Sequence, residues 1–138
     1  MKREIKFMAW HIAEKKMCKV QLINFDGGAF LVGVDKEDDY LCDGGKSYVV
    51  APTNGRFCDF DEFELMQYTG LKDKNGVEIY EGDIVKWSHL GGEKYVIYYN
   101  ESECHFFAKP TDEDEIESYL DSTHMEYVGN IHENPELL

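Results

Sequence analysis

Cys104 and His105 stand side by side, and a thiol next to an imidazole is the raw material of a nucleophile and its base. On a strand, however, neighbouring side chains point to opposite faces, so this pair is not expected to meet. The five histidines, His11, His89, His105, His124 and His132, show neither the HxH nor the HExxH spacing that brings two imidazoles to one metal. Asp35, Glu37 and Asp39 alternate like the start of a calcium loop. Tyr40 then occupies the place where the sharp turn needs glycine, and Lys46 the place of the bidentate Glu, so an EF-hand is excluded. Adventitious divalent binding, there or along Asp112 to Glu117, is the most a cation could find. Glu81 and Asp83 could form a carboxylate pair for acid and base work, although a solvated strand edge is the commoner setting for such residues. There is no phosphate-binding glycine loop and no GxSxG elbow. The expectation is a chain that is not an enzyme, with no catalytic residue, no cofactor and no metal.

Any surface this chain uses must be held by a single real core. Its 138 residues suffice for one domain, or a compact domain with a smaller subdomain, and 43% hydrophobic with 14% aromatic residues is enough to fold it. No apolar run reaches the roughly 18 residues that cross a bilayer, and MKREIKFMAW lacks the apolar stretch of a signal peptide, so a cytoplasmic protein without membrane contact is expected. Cys18, Cys42, Cys58 and Cys104 form no CxxC pair and read as reduced, mostly buried thiols.

The net charge is −14, unevenly spread. Residues 1 to 20 carry six bases against Glu4 and Glu14, whereas residues 101 to 138 carry Lys109 against eleven acids. Such a chain repels phosphates, which disfavours direct nucleic-acid binding and favours a basic protein partner. The oppositely charged ends also suit head-to-tail pairing of identical subunits into a homo-oligomer. A salt-insensitive monomer on a sizing column would count against that assembly.

Turn signals recur every ten to fifteen residues between runs rich in Val, Ile, Tyr, Phe and Trp, which predicts a mainly β chain of antiparallel strands. In the first part, residues 1 to 62, strands are expected over Glu4 to Trp10, Met17 to Asn24 and Ala29 to Val34. A further hairpin is expected from Tyr48–Ala51 to Arg56–Asp59. In the second part, residues 63 to 138, the runs Phe63–Tyr68, Val77–Tyr80, Asp83–Trp87, Tyr95–Tyr99 and Cys104–Ala108 are dense enough for a small barrel. Thr111 with Asp114 reads as a capping box, which predicts one short helix over about residues 112 to 121. Met125 to Ile131 is a last strand, and the terminal Leu137 and Leu138 are expected to dock back on the core.

The block Leu65-Met66-Gln67-Tyr68-Thr69-Gly70-Leu71-Lys72-Asp73-Lys74-Asn75-Gly76, followed by Glu78-Ile79-Tyr80-Glu81-Gly82-Asp83-Ile84-Val85, resembles the hallmark of the YopX family. Arg3-Glu4-Ile5-Lys6-Phe7 with Ala9-Trp10 is similar to the family's start. Gly129-Asn130-Ile131 with Glu133-Asn134-Pro135-Glu136-Leu137-Leu138 is similar to its end. The resemblance implies a phage or prophage product with a mainly β fold whose central block enters an SH3-like barrel, and it implies no catalytic residues. The expected role is that of an accessory protein-interaction module with a host or phage protein as partner, gripping it with some of Tyr68, Tyr80, Trp87, Tyr98 and Tyr99. The alternative is an acidic nucleic-acid mimic that occupies a host DNA-binding protein.

Overall fold

A computed structural model describes residues 2–24, 29–33, 58–87, 91–111 and 118–138. The chain divides into two compact units, one of Lys6–Met66 and one of Met1–Ile5 with Gln67–Leu138. As expected from the sequence, it is mainly antiparallel β.

In the unit of Lys6–Met66, β1 (Phe7–His11) and β2 (Lys16–Asn24) form a hairpin with Met8 opposite Lys19 and His11 opposite Lys16. Its turn places Lys15 in the left-handed region at φ 54°, where the Lys15 amide donates to the His11 carbonyl at 2.8 Å. The imidazole of His11 completes the turn, its Nδ1 accepting the Glu14 amide at 3.0 Å. His11 is buried with its ring edge-on to Phe63 at 4.7 Å, so this histidine is a structural one. β3 (Ala29–Gly33) continues the sheet with a register shift between Val20 and Leu22. β4 (Cys58–Asp59) pairs with β3 through Phe30 and Ala29. The rest of the expected Tyr48–Asp59 hairpin and the acidic loop of residues 35 to 46, with Cys42, lie outside the described residues.

The chain passes from this unit to the other inside β5 (Phe63–Lys72). In the second unit the later residues of β5 pair with β6 (Glu78–Tyr80), Tyr68 lying opposite Tyr80. Beside them is a five-stranded sheet built from β7 (Asp83–Trp87), β8 (Lys94–Asn100), β9 (His105–Pro110), β10 (Ser118–Tyr119) and β11 (Met125–Asn130), in the order β10-β9-β8-β7-β11. Among the described residues no ladder joins β10 to β11. Strand alternation sorts the side chains: Tyr95 and Ile97 point inward from β8 and Ala108 from β9. They meet Ile79, Val85, Trp87 and Met125 in one core, with Leu120 and Tyr127 packed against it.

The expected helix over residues 112 to 121 is not what its end forms. Ser118 and Tyr119 are a strand paired with Ala108 and Phe107, because a two-residue extension of the sheet satisfies their backbone where the local helical pattern would leave it at the sheet's edge. Residues 112–117 lie outside the described residues. At the chain's end Pro135–Leu137 form a 3-10 turn. Leu137 docks as expected but Leu138 is 61% exposed. That turn sits on Gly129, where an added Cβ would lie 2.6 Å from Asn134 Oδ1 and 2.8 Å from Leu137 Cδ1. Gly129→Ala is therefore expected to cost about 1–3 kcal/mol by overpacking, read as a lower urea midpoint at unchanged slope. An unchanged midpoint would refute this account of the glycine.

Candidate functional site

The five aromatic residues expected to grip a partner do not share one groove. Tyr68 and Trp87 are buried; Tyr68 packs on Tyr80 with ring centres 5.3 Å apart, and Trp87 stands edge-on to Tyr95 at 4.7 Å. Tyr80 is half-buried, its hydroxyl donating to Glu78 Oε2 at 2.9 Å. Tyr98 and Tyr99 are consecutive on β8 and so face opposite sides of the sheet. Each opens onto a separate surface feature.

Tyr98 lies on the outer face, opposite Phe107, with their rings stacked at 6.3 Å. Phe107 contacts His105 at 4.1 Å and Tyr119 at 5.0 Å, and the His105 and Tyr119 rings stack within 9° of parallel. The strand pairing thus assembles four rings from β8, β9 and β10 into one aromatic cluster, in which Phe107 is buried, Tyr98 and His105 are half-buried and Tyr119 is 70% exposed. Sequence reasoning missed Tyr119 because it was assigned to a helix. Glu101 and Glu103 in the turn before β9 are exposed, and Asp121 follows β10 half-buried.

On the opposite face, past the end of the core, Tyr99 packs on Phe106 at 5.3 Å and helps to enclose a cavity of about 310 Å³. Its walls are Arg3, Gln67, Thr69, Tyr99, Cys104, His105 and Phe106. Cys104 and His105 both line this cavity, the Cys104 thiol donating to the Glu101 carbonyl at 3.5 Å. Cys104 belongs to the turn ahead of β9 and has φ 57°, a left-handed conformation that costs a residue with a Cβ roughly 1 kcal/mol. It is also exposed rather than buried; Cys18 is buried as expected, and both are free thiols. Thr69 is fully engaged, its Oγ1 donating to the Ile79 carbonyl at 2.9 Å and accepting the Leu71 amide at 3.2 Å. His105 Nδ1 lies 3.0 Å from the Glu103 carbonyl, while its buried Nε2 has no hydrogen-bond partner.

A buried polar cluster lies elsewhere in this unit. Asp83 is 6% exposed and accepts the Tyr80 amide at 2.7 Å. Burial, reinforced by the charge of Glu133, raises its pKa from 3.8 to about 7 against the pull of that amide. Its ladder partner Asn130 donates from Nδ2 to Glu133 Oε2 at 2.9 Å. Glu81 does not join Asp83 as a carboxylate pair; it accepts the Gln67 amide instead, at 3.0 Å. Among the described residues no group of His, Cys, Asp or Glu is placed to hold a metal ion, and no helix is long and apolar enough to cross a membrane.

The family model described as YopX protein matches residues 6–138. The chain belongs to the YopX family. The crystal structure of protein EF1440 from Enterococcus faecalis is similar to it, with 28% identity, 99% of each chain covered and a TM-score of 0.61. Among curated proteins none matches.

The blocks that carry the YopX resemblance have structural duties in this chain. Asp73 Oδ1 accepts the Asn75 and Val77 amides at 2.8 and 2.9 Å, and Oδ2 accepts the Tyr127 amide at 3.0 Å, so one buried carboxylate closes a turn and ties it to β11. Gly76 in that turn has φ 86°. In the terminal YopX block, Asn130 Oδ1 accepts the His132 and Glu133 amides at 3.0 and 2.8 Å, which reverses the chain over Gly129. These residues build the scaffold; the aromatic patch and the cavity lie on the surfaces it leaves open.

Proposed function

We propose that this YopX-family protein is a non-catalytic interaction module of phage or prophage origin. In the host cytoplasm it docks a cationic segment of a host or phage protein on the outer aromatic patch of Tyr98, His105 and Tyr119, which the buried Phe107 supports from beneath. The observation that carries this reading is the exposed Tyr119 ring, stacked on His105 within a chain of net charge −14. A guanidinium laid over an exposed aromatic face gains about 0.5–2 kcal/mol, and flanking carboxylates steer it there. The charge difference between the chain's ends would add self-association as a second use of the same attraction.

The test is the affinity of the full chain for an octa-arginine peptide, followed by fluorescence anisotropy at low and moderate salt. Tyr119→Ala is expected to weaken binding about fivefold at both salt levels, the equivalent of roughly 1 kcal/mol. If Tyr119→Ala binds as well as the parent and salt abolishes both, the patch is not the docking surface. A host DNA-binding protein that is displaced by duplex DNA and indifferent to Tyr119→Ala would favour the acidic-mimic alternative instead.

A further inference from the structure

The cavity beside Tyr99 is lined by a cation, the exposed Arg3, whose charge acts on the Tyr99 hydroxyl. Among the described residues Arg3 makes no hydrogen bond or ion pair, so its guanidinium is open to a ligand from solvent. The side-chain amide of Gln67 is also uncommitted, since its backbone alone meets Glu81. The Tyr99 hydroxyl has its pKa raised by desolvation and by the Cys104 thiol, so it remains a protonated donor through the neutral range. Around these donors Phe106 and the Tyr99 ring supply an apolar wall. Arg3, Gln67 and Tyr99, its hydroxyl hydrogen-bonded to the Cys104 thiol, line one cavity of about 310 Å³, and a guanidinium, an amide and a phenol around one cavity have the form of a small-molecule site with a few polar anchors.

We infer that this cavity binds a small monocarboxylate bearing a flat apolar group, with Arg3 as the anchor of the carboxylate and Phe106 and Tyr99 against its apolar part. The guanidinium matches the two carboxylate oxygens side by side. A phosphate dianion is disfavoured, because Arg3 is the cation among the cavity's walls and Glu101, close enough to act on Tyr99, opposes a second negative charge. The strained Cys104 at the wall provides a chemical reporter of occupancy, since its thiol is exposed and borders the site.

Alkylation of Cys104, followed by peptide mass spectrometry, tests this on the intact protein with two reagents of nearly equal size. Iodoacetate carries the carboxylate and iodoacetamide does not; in each case the thiolate sulfur attacks the methylene carbon and iodide leaves. Carboxymethylation is expected to saturate with iodoacetate, to be slowed by benzoate more than by acetate, and to fall about tenfold in Arg3→Ala, as expected for loss of one charge-assisted anchor. The iodoacetamide rate should change less than twofold in the same variant, which separates loss of binding from loss of structure. A rate that stays linear in iodoacetate, ignores benzoate and is equal in Arg3→Ala overturns the site. Protection by inorganic phosphate equal to that by benzoate overturns its assignment to monocarboxylates.

Discussion

Asp73→Ala is expected to cost the protein about 3 kcal/mol or more, the largest loss of any single substitution considered. Three backbone amides, of Asn75, Val77 and Tyr127, point at this carboxylate, and removing it leaves donors with about 1–3 kcal/mol of unmet demand for each that stays buried. The side chain cannot be replaced by water without opening the turn, since Asp73 is itself only 6% exposed. Asp73→Asn should fall between the two, because an amide offers one acceptor oxygen where the carboxylate offers two. Urea unfolding gives the free energy, and hydrogen exchange at Tyr127, Val77 and Asn75 gives the location. An alanine variant within 0.5 kcal/mol of the parent, on the scale of surface substitutions, would mean that these hydrogen bonds do not hold the turn.

Asp83 should give the molecule the opposite response to pH. Its native pKa of about 7 lies above its ordinary 3.8, so the folded state keeps a proton that the unfolded chain releases. The stability this contributes is complete below the unfolded value and is lost as pH rises through 7, a fall of about 4 kcal/mol at 1.36 kcal/mol per unit. Asp73 runs the other way. Burial raises its pKa, but the Tyr127, Val77 and Asn75 amides and Lys74 outweigh that and hold it below the usual carboxylate range, so its contribution is lost as pH falls below about 4. Stability should therefore peak on the acidic side of neutrality. Asp83→Asn keeps an acceptor for the Tyr80 amide and removes the titration, so it should abolish the decline between pH 4 and 7 and be more stable than the parent at pH 8. Denaturation curves across this range decide the matter; a parent whose stability rises steadily from pH 4 to 8 would sink the account.

The second half of the fold was legible because its signals were local. Asp73, Asn75 and Gly76 marked a turn that the structure contains, and β7 has the bounds that its apolar run predicts. The end of the helix expected over about residues 112 to 121 was misread for a tertiary reason: Ser118 and Tyr119 pair with β9. The surface sites were harder to read. Tyr68 and Trp87 have the composition of a binding surface, but their positions on the strands turn them into the core. Cys104 stands in the turn before the strand it was expected to open, and Arg3 shares a cavity with residues more than sixty positions along the sequence, a separation no local pattern records.

The unit that holds the cavity is assembled from Met1–Ile5 and Gln67–Leu138, with the whole of Lys6–Met66 made in between. During vectorial synthesis the leading residues must therefore wait, without their partners, until the rest of that unit has emerged from the ribosome. Closing so long a loop is entropically slow, and β11, which pairs with β7, follows the other strands of its sheet in chain order. The unit is thus discontinuous in sequence. No contiguous fragment reproduces it, whereas a circular permutant that joins the two termini and opens elsewhere would present it as one uninterrupted stretch.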